Sequence, residues 1–252
     1  MTLTDLAWYG FAILGMYVSF RFLKWNNRQL AAKKAPERIA DAAKRGWSYE
    51  QEQTLMFEIG RWRGQSDGIA WVGETARSGT KRSSLGGSAI GSVTLVTRWY
   101  TLQRMPVSGP VWLMQDTSGA GAPNELAKKL DDMDSPLART LIGKMLDVGL
   151  PVRFGGPIGD KVEGASLRPV TLPATGYDGC NLMAADPSEA SALLFQRLGP
   201  AMIAARAAAG TVALSVLITP EGLAVSVPRW CYQADELAPL VDAGVSLVKA
   251  MR

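Results

Sequence analysis

A sharp local cluster of basic side chains opens the segment 77–92 of this 252-residue sequence, RSGTKRSSLGGSAIGS. Arg77, Lys81 and Arg82 are followed there by glycines, a composition that suits an anion-binding loop. A phosphate loop of the G-x-x-x-x-G-K-[ST] type requires a lysine directly after its second glycine and a helix behind it. Two glycines have this spacing, but Ser92 replaces the lysine and a predicted strand follows. We interpret the segment as a solvated loop, with contact to a partner or an anion as the alternative.

The acidic residues offer little recognisable chemistry. Asp131, Asp132 and Asp134 lack the glycine and the terminal glutamate of a calcium-binding loop, which favours a solvated turn. Glu58 and Glu74 fall in predicted strands close to tryptophans, where burial would perturb their titration. Paired acid–base catalysis also requires a cleft, which the sequence does not indicate. We therefore assign no catalytic residue and no metal ligand, and we expect no cofactor.

Histidine is absent from the chain, and cysteine occurs only twice. The most frequent general base near neutral pH and the commonest metal ligand are therefore missing. Triads that contain histidine and zinc sites that contain histidine are excluded. Cys180 and Cys231 are expected to be small buried residues. Trp230 directly follows Pro228-Arg229, and we regard it as a candidate anchor for a partner.

An uncharged apolar run occupies residues 6–20, and RFL extends it to 18 residues. As a helix this stretch measures about 27 Å, close to the hydrocarbon thickness of roughly 30 Å. Aromatic residues near both ends of the run suit membrane interfaces. The sequence therefore predicts a transmembrane anchor over residues 1–25. The residues expected to fix this anchor are Trp8, Tyr9, Arg21, Lys24 and Trp25.

Positive charge is concentrated beside the apolar run. Residues 1–45 contain eight basic and three acidic residues, whereas the remaining chain contains 19 and 20. The positive-inside rule then predicts a single-pass protein of the bacterial inner membrane, with its N-terminus outside and its body in the cytoplasm. The expected partners are the lipid bilayer and other membrane proteins. A nucleic-acid partner is not expected, because the body has no net positive charge for phosphates.

Three further regions follow the predicted anchor. Residues 26–46 form a basic juxtamembrane stalk, expected to be helical and interrupted at Pro36. Residues 47–118 are β-rich, since β-branched and aromatic residues alternate there. Residues 119–252 mix helix and strand and are expected to form one compact body with 47–118. The strand candidates of the β-rich region are 54–60, 68–76, 91–103 and 109–115.

The second half of the chain contains helix-start and hairpin signals. Ser135-Pro136 and Asp186-Pro187 each combine a capping residue with proline at the first turn. The alternating segments 211–219 and 223–228 predict a hairpin, and a last helix is expected from Asp235. The predicted fold class is α+β. It comprises an N-terminal transmembrane helix, a helical stalk and a mixed antiparallel sheet with helices packed on one face.

The tail of the chain contains GYDGCNLMAADPSEASALLFQRLGPAMI, followed by LSVLITPEGLAVSVPRWCYQADELAPLVDAGVSLVKAM. Over residues 177–251 it resembles uncharacterised bacterial single-span membrane-anchored proteins with a domain of unknown function. The resemblance implies a strand, a D-P-x-E-A helix, a hairpin and a closing helix. These proteins have no established activity, so the resemblance implies no functional residue.

Two functional hypotheses remain from the sequence. The first is a non-catalytic, membrane-anchored accessory, assembly or scaffold subunit of a larger membrane complex. Its candidate partner contacts are Arg77, Lys81, Arg82 and Trp230. The alternative is a membrane-tethered module that senses a ligand or lipid held between sheet and helices. The first hypothesis is favoured because of the predicted anchor, the neutral body and the lack of a recognisable catalytic constellation.

Overall fold

The computed structural model describes residues 3–53, 57–78, 94–115, 136–172, 180–210 and 213–252. Its α-helices are α1 (Leu3–Lys44), α2 (Pro136–Phe154), α3 (Gly156–Gly159), α4 (Pro187–Leu193), α5 (Gly199–Ala209) and α6 (Ala234–Met251); a 3₁₀ helix spans Gly164–Ser166, and a π-helix, Leu194–Leu198, joins α4 to α5. Its strands are β1 (Ser48–Gln53), β2 (Phe57–Ser66), β3 (Ile69–Ser78), β4 (Thr94–Thr101), β5 (Val111–Gln115), β6 (Arg168–Val170), β7 (Cys180–Ala184), β8 (Ser215–Thr219) and β9 (Gly222–Val227).

The strands form one sheet in the order β1-β2-β3-β4-β9-β8-β5-β7-β6, with antiparallel pairing throughout. Two tight turns set much of this register. The β2–β3 hairpin closes at Asp67-Gly68, both with positive φ, as the two-residue turns that match strand twist require. The β8–β9 hairpin closes between Thr219 and Gly222, which confirms the predicted hairpin.

Helices cover both faces of the sheet, so the prediction that they pack on one face is wrong. Val225 and Val227 of β9 belong to a large apolar core that includes Leu237 of α6. Ala224, directly before Val225 in the strand, belongs to a second core with Phe154 of α2. Successive strand residues point to opposite faces. A strand buried on both faces therefore requires a layer on each side, whereas the α+β class itself is confirmed.

The predicted transmembrane anchor over residues 1–25 is also wrong. Among the helices of the described residues, none is long and apolar enough to cross a membrane. The uncharged run 6–20 measures about 22 Å as a helix, short of the roughly 30 Å of a hydrocarbon core, and Arg21 follows it directly. The single-pass topology and the inner-membrane localisation, with the N-terminus outside and the body cytoplasmic, were derived from this anchor and are corrected with it.

Helix α1 instead runs unbroken from Leu3 to Lys44. Pro36 lies inside it and is exposed, so the predicted interruption of the stalk at this proline does not occur. The helix ends where Gly46 adopts a positive φ, a backbone conformation that favours glycine. The apolar run and the basic stretch after it are therefore parts of one helix.

Replacing Gly244 of α6 tests the packing of this helix on the sheet. A Cβ at Gly244 would overlap the ring of Trp99, which is fully buried in β4. We expect Gly244→Ala to lower the free energy of unfolding by about 2 kcal/mol, because a well-packed core resists added volume. Chemical denaturation measures the change. The control is Ser246→Ala, at an exposed position of the same helix. Equal stability of the two variants would contradict the described packing.

Candidate interaction surface

A buried arginine attaches α1 to the sheet. Arg38 is only 8% exposed, and its Nη1 donates a hydrogen bond to the Tyr49 hydroxyl at 2.9 Å. The same nitrogen lies 3.7 Å from a carboxylate oxygen of Glu58. The guanidinium also lies over the rings of Tyr49 and Tyr232, at 5.8 and 5.5 Å from their centroids. We call these four residues the clamp; they combine a charge pair, a hydrogen bond and cation–π contacts.

Two further contacts join the end of α1 to the start of α6. Asp41 accepts a hydrogen bond from the Ala234 backbone N–H at 2.8 Å. This carboxylate therefore lies at a helix N-terminus, where negative charge is favourable. Nε of Arg45 donates to Asp235 at 3.1 Å, and Ala42 between these positions is fully buried. The last two turns of α1 are thus fixed to the body.

Most described side chains of α1 before these fixed turns are exposed instead of buried. Every side chain that the structure describes between residues 11 and 34 is exposed. We call residues 11–34 the arm. The large apolar side chains of the arm that the structure describes are each more than half exposed: Phe11, Leu14, Met16, Tyr17, Val18, Phe22 and Trp25. Single exposed apolar residues are ordinary, but a contiguous exposed patch marks a binding surface.

Five of these side chains lie on one side of the helix. Their spacings of three, four, four and three residues place them within an arc of about 80° at 100° per residue. We call them the stripe: Phe11, Leu14, Val18, Phe22 and Trp25. The rings at its C-terminal end are adjacent, with 6.0 Å between their centroids. This spacing is the one by which a helix anchors itself in a groove or against a second helix.

The residues predicted as the membrane anchor lie in α1. Arg21 and Trp25 are exposed, and the Arg21 guanidinium lies 5.7 Å from the centroid of the Tyr17 ring. The side chains of Trp8, Tyr9 and Lys24 lie outside the described part of the structure. Exposed aromatic and apolar residues thus occur where the sequence analysis expected them, although the inferred membrane span is contradicted.

The predicted partner contacts are only partly described. Trp230 is half-buried, and its ring centroid lies 5.7 Å from that of the clamp residue Tyr232. Arg77 is half-buried at the end of β3, where it is in register with Glu58 and Leu95 of the neighbouring strands. Lys81 and Arg82 lie outside the described residues. The structure therefore brings Trp230 to the base of the arm.

A buried ion cluster occupies the sheet face that α2 covers. The Glu74 carboxylate is 5% exposed and accepts hydrogen bonds from Nε of Arg61 and Nε of Arg98, each at 2.7 Å. Arg98 also donates to the Val152 carbonyl near the end of α2, at 3.1 Å. Burial acts to raise the pKa of Glu74, but the two guanidinium groups outweigh it and hold that pKa below its ordinary value.

The same row of the sheet continues as neutral polar residues. Arg98 is in register with Ser226, Ser226 with Ser215, and Met114 beyond them with Asn181. Within the described residues, the side-chain oxygens of Ser215, Ser226 and Asn181 are buried without a hydrogen-bond partner. Buried polar atoms usually have partners, so these oxygens are candidate contacts for a small polar molecule.

The described residues contain no group of three or more His, Cys, Asp and Glu side chains arranged to bind a metal ion. Asp131, Asp132 and Asp134 lie outside that part of the chain. Cys180 and Cys231 are both buried, as expected, and burial raises the pKa of the Cys231 thiol. Glu58, one of the two carboxylates singled out in the sequence, belongs to the clamp, and the other, Glu74, belongs to the ion cluster.

Comparison with protein-family models, with curated proteins and with solved structures gave no match to this chain. The resemblance of residues 177–251 to membrane-anchored proteins of unknown function therefore stays a prediction.

Neutralising Glu74 tests the ion cluster. We expect Glu74→Gln to lower the free energy of unfolding by about 3 kcal/mol at pH 7, because two guanidinium groups lose their counter-charge. The difference in the free energy of unfolding between Glu74→Gln and the parent should become smaller as the pH is lowered. A carboxyl whose pKa is lowered in the folded state stabilises above its ordinary pKa and loses this contribution as the pH falls through the lowered value. Denaturation curves at several pH values measure both effects.

Glu50→Gln is the control for this experiment, because the Glu50–Arg63 pair has the same chemistry on exposed side chains. We expect it to cost less than about 1 kcal/mol. Equal losses for the two variants, or a Glu74→Gln loss that does not change with pH, would contradict the assignment of the cluster as a buried, ionised group.

Replacing Arg38 tests the clamp. We expect Arg38→Met to cost about 2 kcal/mol, since the buried Tyr49 hydroxyl loses a charged donor. Amide hydrogen exchange should accelerate in residues 38–44. Lys44→Met is the control, because this lysine is largely exposed and lies 4.0 Å from its acidic neighbour Asp41. Unchanged exchange in Arg38→Met would show that other contacts hold α1 in place.

Proposed function

We propose that this protein is a non-catalytic accessory, assembly or scaffold subunit that binds a partner protein through the stripe of α1. One observation carries the proposal: large apolar side chains stand exposed on a helix whose other end is fixed by buried contacts. A helix that only packed against its own body would not require exposed apolar residues at groove-binding spacing.

The energetics favour association. Phe11, Phe22 and Trp25 are aromatic, and rings of this size bury on the order of 150 Å² or more each. At about 25 cal/mol per Å², their burial provides roughly 10 kcal/mol before the costs of association are subtracted. The helix is continuous with the clamped turns, so binding does not have to start helix formation, which is the unfavourable step.

The chemistry of the chain supports a non-catalytic role. Histidine is absent, and the carboxylate buried most deeply in the ion cluster is already paired with two arginines. A carboxylate held ionised by two guanidinium groups is a weak base. These features favour a protein whose output is an interaction, rather than a chemical step.

Photocrosslinking in intact cells tests this proposal. A photoreactive amino acid at Phe22 should give an adduct with one protein species in a constant proportion, because this ring lies in the stripe. The same amino acid at Val148 is the control, an exposed apolar position on α2 of the body. We expect the adduct to be lost in Phe11→Ser/Trp25→Ser, while the folded body is unchanged in its denaturation curve.

Two results would overturn the proposal. One is the same pattern of adducts from Phe22 and from Val148, which would mean that the stripe has no specific partner. The other is an adduct of Phe22 with lipid alone, which would make the arm a lipid-binding element instead of a protein-binding one.

A second candidate function is the sensing of a small polar ligand between the sheet and α2. It is favoured by the unpartnered oxygens of Ser215, Ser226 and Asn181 on one row of the sheet. Native mass spectrometry of the purified protein tests it. A retained small molecule that is lost in Ser215→Ala/Ser226→Ala would support the site. Protein of bare polypeptide mass, with the variant at least as stable as the parent, would contradict it.

A further inference from the structure

The partner that fits the stripe best is a second copy of this chain. We infer that two arms pair antiparallel, with the two-fold axis at Val18. This inference rests on the proposed function, because it names the protein that the stripe binds. Symmetric pairing of identical chains requires a surface that is complementary to itself under a two-fold rotation. The spacing of the stripe and the distribution of charge along the arm both have this property.

The spacing of the stripe reads the same in both directions. The intervals from Phe11 to Trp25 are three, four, four and three residues, with Val18 at the centre. A two-fold axis at Val18 therefore places Phe11 of one copy opposite Trp25 of the other, and Leu14 opposite Phe22. Val18 meets its own counterpart. Each layer of the interface then contains one complete pair of apolar side chains, and aromatic pairs add stability beyond their buried area.

Charge selects the antiparallel direction. The sequence places the positive residues of α1 before its clamped turns all on the C-terminal side of Val18: Arg21, Lys24, Arg28, Lys33 and Lys34. In a parallel pair each of these positions would lie beside the same cation of the second copy. In the antiparallel pair they lie opposite the uncharged run 6–20 or the segment before it. Antiparallel helix dipoles also attract.

The available area is sufficient for a stable dimer. Three rings per copy bury roughly 450 Å² or more, and the aliphatic members of the stripe add to this. Stable interfaces bury about 800 Å² per partner. The remaining area would come from side chains beside the stripe, where Tyr17 is also exposed. The pair therefore reaches the lower range of standard interfaces with the arm alone.

The clamp determines how the dimer is built. Because α1 is continuous, the 20 residues from Val18 to Arg38 span about 30 Å. The two clamps would then lie about 60 Å apart, with one body at each end of the paired arms. The dimer would hold two folded bodies at a fixed separation, which is a form suited to a scaffold.

Cysteine crosslinking of the full chain tests the pairing. Under mild oxidation, two thiols give one disulfide, with the oxidant accepting two electrons and two protons released. We expect Val18→Cys to form a covalent dimer with itself. Phe11→Cys and Trp25→Cys should each stay monomeric under denaturing electrophoresis when alone and give a dimer when mixed. Val148→Cys, an exposed position on the body, is the control for random collisions, and both native cysteines are buried.

Sedimentation provides the second measurement. The chain of 27.0 kDa should sediment as a dimer, and Val18→Glu should halve the mass, because two carboxylates would meet at the axis. Met16→Glu is the matched control, since Met16 is exposed and lies about 160° around the helix from Val18. It should leave the dimer intact.

The outcomes separate the inference from the proposed function. Self-crosslinking of Phe11→Cys and of Trp25→Cys would mean parallel pairing and overturn the antiparallel arrangement. A monomeric chain whose Phe22 photoadduct contains a different protein would overturn the pairing of copies and leave the proposed function standing. A monomeric chain without any specific adduct would overturn both.

Discussion

The structure depends on the burial of one charged side chain, Arg38, between α1 and the sheet. A guanidinium group removed from water is costly unless charge and hydrogen bonds replace its hydration. Here Glu58 supplies the charge, the Tyr49 hydroxyl accepts a hydrogen bond, and two tyrosine rings face the cation. Because these partners have fixed directions, the clamp defines where α1 leaves the body. An apolar contact of equal area would hold the helix without fixing its direction as closely.

The sheet provides a rigid base because its two faces use different interactions. One face is mainly apolar and packs against α6, where Trp99 fills the space that Gly244 leaves open. The other face combines an apolar row under α2 with the charged row through Glu74. Arg98 joins that row to the end of α2, so the ion cluster also positions a helix. The α2 face is therefore held largely by directional contacts, and the α6 face combines close packing with the directional contacts of the clamp.

Local signals in the sequence predicted much of the fold. Alternation located β3, β4 and β5, and the Asp186-Pro187 and hairpin signals located α4, β8 and β9. The Asp67-Gly68 pair is a hairpin signal that was overlooked in the sequence, which is why β2 was predicted to end too early.

Helix placement on both faces was not predictable, because it depends on which strands become neighbours. The clamp was not predictable either, since Arg38 looks like any basic residue of a polar helix until Tyr49 and Tyr232 meet it. Apolar residues in α1 were recognised, but their composition alone does not distinguish a lipid environment from a protein one.

Antiparallel pairing of the two arms about Val18 fixes one distance that tests the pairing directly. A spin label introduced by Lys33→Cys lies at an exposed position of the arm, 15 residues from Val18. In the antiparallel pair, electron–electron dipolar spectroscopy should give a distance between the two labels of about 45 Å, twice the helical rise over those residues. A distance near the roughly 10 Å that separates two packed parallel helices, or no dipolar coupling between copies, would contradict the account.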